Sequence, residues 1–239
     1  MRPHCARATR ARCYQLVNRS HPSRGALLAL VFAASTVAEE PARSPVRLDV
    51  RAFRPVEGPS SGPAVYYHVL GDATDAPVLQ GIYRPGLETV TMGVEVPQAM
   101  RQRAEFLRWR WRALAFPDGG DECRAGRGDS AASVVVAFKR GLKWYMLKYV
   151  WSPVSPLGAT CDRKRTLFLT RDTIVLERGG APGTWLSERV NVRQAFRDHF
   201  ADGDPDAPVP DLVGVAVMTD GDQTHSESGA EWADFELLP

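Results

Sequence analysis

The chain has 239 residues, 44% of them hydrophobic and 24% charged, which is enough apolar material for one sizeable core. Its formal charge of +2 conceals an asymmetry: without the six arginines of residues 1–38, the 30 Lys and Arg fall to 24 against 28 Asp and Glu. An acidic body excludes a general nucleic-acid binder, because phosphate affinity needs a basic footprint.

The first element is read as a secretory signal over residues 1–38. Its arginines form a charged segment, Ala26 to Ala34 is an apolar run, and Thr36-Val37-Ala38 offers small residues for cleavage. The apolar run is too short for a membrane span, which needs about 20 residues. The charged segment is long for such a leader, which fits initiation nearer Leu16 or Val17. Residues 39–45 read as a polar linker, and 46–238 as a single domain with no membrane span.

Strands are expected at Val46–Phe53, Val65–Leu70, Val78–Tyr83 and Thr89–Val96. The last two read as a pair around the Pro85-Gly86 turn signal. The stretch Leu107-Arg108-Trp109-Arg110-Trp111-Arg112 follows. Side chains alternate along a strand, so Leu107, Trp109 and Trp111 share one face while Arg108, Arg110 and Arg112 share the other. This reads as the central strand, about Phe106 to Leu114. Ala132–Phe138 and Lys143–Trp151 form a hairpin about Lys139-Arg140-Gly141-Leu142. A second hairpin is expected about Arg171-Asp172, joining Thr166–Leu169 to Thr173–Glu177. After an extended Trp185–Val190 comes one short amphipathic helix near 191–200. Asn191 caps it, Gln194 stands at the capping-box position, and Val192, Phe196 and Phe200 share a face. Leu212–Met218 and Glu231–Leu237 are the closing strands. The fold class is therefore mainly β, an antiparallel β-sandwich or jelly roll.

Two of the four cysteines, Cys5 and Cys13, lie in the leader. Cys123 and Cys161 flank the predicted Lys139–Leu142 turn almost symmetrically. In an oxidising compartment this spacing predicts a disulfide.

The order of motifs resembles a bacterial family known as domain of unknown function 3047. The residues that carry the likeness are Trp109-Arg110-Trp111, Gly128-Asp129, Tyr149-Val150-Trp151-Ser152, Gly183-Thr184-Trp185, Arg189-Val190-Asn191-Val192 and Met218-Thr219-Asp220-Gly221-Asp222-Gln223-Thr224. The resemblance runs from about Gln80 to Leu237 and implies an exported β-sandwich. Three departures stand out. Ser130 and Ser133 occupy positions where family members tend to carry an acid and an arginine. The acid common near Gln194-Ala195 is missing.

Several residues are candidates for chemistry. Asp220, Asp222 and Thr224 alternate at a spacing that suits Ca²⁺, with Asp129 or Asp234 completing the shell. Asp129, Asp220 and Asp222 with His225 are the candidate catalytic set, His225 being the candidate base. Neither G-x-S-x-G nor H-E-x-x-H occurs. Tyr149, Trp151 and Trp185 offer rings to a sugar. Arg108, Arg110 and Arg112 bind an anionic envelope ligand or pair with acids such as Glu95, Glu177, Glu188 or Glu236. Gly126-Arg127-Gly128-Asp129-Ser130 contains the adhesion tripeptide Arg127-Gly128-Asp129, which chance explains. These readings converge on a secreted or periplasmic binding module for envelope or extracellular carbohydrate. The alternatives are a glycan hydrolase or lyase using the clustered Asp and His, and a structural envelope protein. An enzyme requires the acids to converge in one cleft; a binding module requires exposed aromatics.

Overall fold

The computed structural model describes residues 44–57, 65–71 and 76–239. The expected leader and most of the linker lie outside them. Two sheets pack face to face. The six-stranded sheet comprises β1 (Val46–Arg47), β3 (Tyr67–Leu70), β4 (Val78–Tyr83), β6 (Phe106–Ala115), β11 (Leu186–Asn191) and β13 (Ser228–Leu238), in the order β11-β6-β13-β4-β3 with β1 beside β13. The seven-stranded sheet comprises β2 (Arg54–Glu57), β5 (Thr91–Glu95), β7 (Ala132–Arg140), β8 (Lys143–Ser152), β9 (Thr160–Arg165), β10 (Leu169–Arg178) and β12 (Asp211–Met218), in the order β2-β5-β12-β7-β8-β10-β9. The helix α1 spans Val192–Phe200. This is the mainly β, jelly-roll sandwich that the strand pattern predicts.

The tryptophan strand β6 sits inside its sheet, between β11 and β13. Its alternation translates directly into burial: Leu107, Trp109 and Trp111 are sealed in the core, while the arginines face outward. The opposite sheet meets them with Tyr149 and Trp151. The Trp109 and Tyr149 ring centroids are 6.0 Å apart, and those of Trp111 and Trp151 are 5.7 Å apart. Each such ring buries 150–250 Å², so this cluster supplies much of the hydrophobic free energy between the sheets.

The arginine row meets the acids of β13. Arg108 pairs with Glu236, Arg110 with Asp234 at 2.7 Å, and Arg112 with Glu231. A bulge makes this possible. The β6–β13 register slips between Ala233 and Glu236, where Asp234 takes a φ of 55°. The extra residue keeps Phe235 and Leu237 on the core side and sets Asp234 beside Arg110. Arg110 and Arg112 also lie over the Trp185 ring, at 5.0 and 4.9 Å from its centroid. The row is a cross-strand ladder.

Three local expectations are corrected. First, β4 and β5 are not partners: the chain crosses from one sheet to the other after the Pro85-Gly86 turn. Second, no hairpin turns at Arg171-Asp172. Asp172 lies inside the continuous strand β10, because its buried carboxylate is engaged by Arg165 at 2.5 Å and by His199 at 2.9 Å. The turn falls at Thr166–Phe168, and β10 runs parallel to β8. Third, Asn191 caps α1 by accepting from the Gln194 amide at 2.8 Å, but the Gln194 side chain turns to Asp198 and leaves the reciprocal half of the box unmade.

The ladder generates a prediction. Glu231 is buried and also accepts from Gln80 Nε2 at 2.7 Å, so Arg112→Ala strands a buried carboxylate. Chemical denaturation should show a loss of about 3 kcal/mol for Arg112→Ala. Arg110→Ala, at an exposed pair, should cost about 0.5 kcal/mol. Equal losses would show that the burial of Glu231 does not matter.

Candidate functional site

The site lies on the outward face of the seven-stranded sheet. Along β8, Leu147, Tyr149 and Trp151 point into the core, so Lys148 points the other way. Lys148 belongs to a cross-strand row, Val135–Lys148–Thr173–Cys161, that runs over β7, β8, β10 and β9. Cys161 is bonded to Cys123 with their Cα atoms 4.8 Å apart. The disulfide predicted from spacing is thus present. It draws residue 123 to the sheet and carries its neighbour, Glu122, over Lys148. Glu122 Oε1 accepts from Lys148 Nζ at 2.8 Å, and the two residues are only 4% and 7% exposed. Burial pulls the ammonium down, but the nearby Glu122 and Asp220 carboxylates outweigh it and hold Lys148 above its ordinary value.

The second wall is the loop after β12. The carboxylates of Asp129, Asp220 and Asp222 each bring an oxygen within 4.8 Å of the others. Asp129 is fully buried and accepts from the amides of Gln223 at 3.4 Å and Thr224 at 2.6 Å. Asp220 Oδ1 accepts from the Ser130 amide at 3.2 Å. These bonds staple residues 129–130 to the 220–224 loop. The buried Asp129 is therefore not offered as part of an adhesion tripeptide. Asp220 is 5% exposed. Burial pushes its carboxyl up to about 7; Lys148 pulls against this, while Glu122 and Asp129 add to it. Burial and the neighbouring Asp129 also raise Asp222.

Between the walls is a cleft of about 520 Å³. Glu122, Lys148, Arg171, Asp220, Asp222 and Gln223 line it, so donors and acceptors are interleaved. Arg171 is itself held by Asp162. Arg171 Nε and Thr89 Oγ1, from two lining residues, are buried without a hydrogen-bond partner in the protein. So are Ser130 Oγ beside Asp220 and Thr173 Oγ1 beside Lys148. Such atoms are normally met by water or ligand.

The sequence candidates divide sharply. Asp129, Asp220 and Asp222 converge. His225 does not join them: it stands exposed at a φ of 53°. Thr224 Oγ1 is turned to Ser226 Oγ at 2.7 Å, and Asp234 is committed to Arg110. Of the Ca²⁺ set, Asp220 and Asp222 stand with Asp129, one oxygen of each within 4.8 Å of the others, and Thr224 is turned aside. Tyr149 and Trp151 are core residues and offer no ring to a sugar, and Trp185 lies under two guanidinium groups. Arg108, Arg110 and Arg112 are engaged in the ion pairs of the ladder. Glu122, Lys148 and Arg171 escaped sequence reading. The one available signal was a lysine in the middle of an aromatic strand. Asp172 and His199 form a separate group, in a second cleft of about 400 Å³. Burial raises Asp172, but its bonds from Arg165 and His199 prevail and hold it below the ordinary value.

The architecture and cleft define a jelly-roll sandwich protein with a carboxylate-lined site on the outer face of its larger sheet. The model of the family described as "Protein of unknown function (DUF3047)" matches residues 90–236, more than half of the chain, and the chain belongs to that family. The matched stretch contains Glu122, Asp129, Lys148, Asp220 and Asp222. No curated protein matches the chain. Among solved structures, the xyloglucanase domain of NopAA, a type three effector from Sinorhizobium fredii in complex with cellobiose, is similar at 8% identity and a TM-score of 0.39, covering 74% of this chain and 90% of that one. Endoglucanase 3 of Trichoderma harzianum, from family GH12, is similar at 11% identity and 0.40, covering 84% and 98%. The K2 cleaved adhesin domain of Lys-gingipain is similar at 8% identity and 0.41, covering 82% and 100%. Likenesses at these scores carry no inference about this chain's chemistry. Among the described residues, no helix is long and apolar enough to cross a membrane.

Two predictions follow from the wall geometry. Asp220 is raised in the fold above its unfolded value of about 3.9, so its stabilising contribution is full below pH ~4 and is lost as pH rises towards 7. Asp220→Asn abolishes that loss. Relative to wild type, its melting temperature should therefore rise by about 2–4 °C or more between pH 5 and pH 8; a constant difference would mean that Asp220 titrates normally. The staple geometry also predicts a wild-type melting temperature unchanged by EDTA, whereas a drop on chelation would make the carboxylates a cation site.

Proposed function

We propose that the protein is an exported glycan-active enzyme, a hydrolase or lyase, working by acid–base catalysis in the cleft between Glu122 and Asp220. The observation that carries this reading is two buried carboxyl groups in one cleft: Glu122 bonded to the Lys148 ammonium, and Asp220 raised by burial to about 7. A carboxyl group raised in this way suits a general acid, and a second carboxylate in the same cleft suits the base. Asp220 gives its proton to the departing glycosidic oxygen as the C–O bond breaks. Glu122 takes a proton from the attacking water in hydrolysis, or from the sugar ring carbon in elimination. Interleaved donors and acceptors suit hydroxyl groups. Passage through the N-terminal leader to an oxidising compartment accords with the disulfide.

This reading departs from a binding module built on an aromatic platform, because the rings of that platform are buried or capped. A purely structural envelope protein has no use for buried, unpartnered polar atoms around a charged cleft. The test is product release from a panel of acidic and neutral polysaccharides, read as reducing ends and as ultraviolet absorbance of an unsaturated sugar. Wild type should turn over at least one member. Asp220→Asn and Glu122→Gln should each lower kcat by about 100-fold or more with little change in KM. Binding of a polysaccharide without turnover would assign the cleft to a binding module; neither binding nor turnover would leave the structural role.

A further inference from the structure

We propose that the end of the sandwich formed by the β7–β8 and β9–β10 turns docks on an anionic membrane surface. The inference is independent of the cleft. Because β8 and β10 run parallel, the turns that precede them lie at the same end of the sheet. The Trp144 amide donates to the Phe168 carbonyl at 2.8 Å and joins the two turns directly.

Each turn carries large apolar side chains into solvent. Leu142 is 78% exposed on one, and Leu167 and Phe168 are 78% and 57% exposed on the other. A cluster of this kind at one extremity marks an interaction surface. Trp144, half-buried beside it, is the ring type enriched where bilayer meets water.

Charge decides which partner fits. Residues 139–144 and 163–169 contain six lysines and arginines and no acid. Lys139, Arg140 and Lys143 flank Leu142; Arg163, Lys164 and Arg165 precede Leu167 and Phe168. Neighbouring elements bring acids to part of this set: Asp172 engages Arg165, Asp198 and Asp202 line one cleft with Lys143, Arg163 and Arg165, and Asp211 of β12 lies opposite Lys139 but is bonded to Gln102, while Lys164 and Arg140 have no acid beside them in these contacts. Arg140 reaches the Pro208 carbonyl. On a body with an acidic excess, a basic end of this kind turns its tip towards a negative surface. Basic residues flanking protruding Leu and Phe match anionic headgroups above an acyl layer.

The experiment is co-sedimentation of the purified chain with sucrose-loaded vesicles. One set is equal parts phosphatidylglycerol and phosphatidylcholine, and the other is phosphatidylcholine alone. The chain should pellet with the anionic vesicles and shift its tryptophan emission to the blue, and should stay in solution with the neutral ones. The variant Leu142→Ser/Leu167→Ser/Phe168→Ser should keep its melting curve and lose about tenfold or more of the partitioning. Lys143→Glu/Lys164→Glu should lose it as well. No pelleting of wild type would overturn the proposal. Equal pelleting of wild type and the serine variant would also overturn it, as adsorption by charge without insertion. A concentration-dependent dimer abolished by the serine variant, with no vesicle binding, would assign the surface to a second copy of the chain.

Discussion

The cleft depends on one buried ion pair, Lys148 with Glu122. Removing two charges from water costs several kcal/mol for each, so such a pair persists only where geometry fixes it. The fixing element here is covalent. Cys161 shares the cross-strand row of Lys148, and its bond to Cys123 pulls the loop that carries Glu122 down onto the sheet. Without that tie, a loop of more than a dozen residues would have to order itself against its own chain entropy.

The pair in turn sets the state of its neighbour. Asp220 stands between the ammonium of Lys148, which favours its charged form, and the carboxylates of Glu122 and Asp129, which oppose it. Burial decides the balance and raises the carboxyl to about 7. Asp129 contributes twice: its negative charge acts on Asp220, and its acceptance of the Gln223 and Thr224 amides holds that wall in place. The serines at positions 130 and 133 bear on the same wall. The Ser130 amide bonds Asp220, and Ser133 Oγ bonds the Met218 carbonyl.

What was legible in the sequence was whatever repeats at short range. The alternation of Trp109 and Trp111 with three arginines gave β6, its core face and its outer ladder. The spacing of Val192, Phe196 and Phe200 after Asn191 gave the helix. The symmetric placing of Cys123 and Cys161 gave their bond. What was not legible comes from contacts between distant residues. Asp172 looks like a turn former until Arg165 and His199 satisfy it inside a strand, and that substitution moved a hairpin by several residues. Glu122 and Lys148 are unremarkable in their own segments, and only the packed sheet brings them together. His225 and Thr224 adjoin the converging acids in sequence, but a left-handed backbone at His225 and a bond from Thr224 to Ser226 leave both out of the cluster.

Beside the Lys148–Glu122 pair, burial raises the Asp220 carboxyl to about 7. Carbon-13 NMR of the Asp220 carboxyl, assigned through Asp220→Asn and followed from pH 4 to pH 9, observes that titration directly. A midpoint close to 7 is the predicted result. A midpoint near 4, the ordinary value for an aspartate, would contradict it.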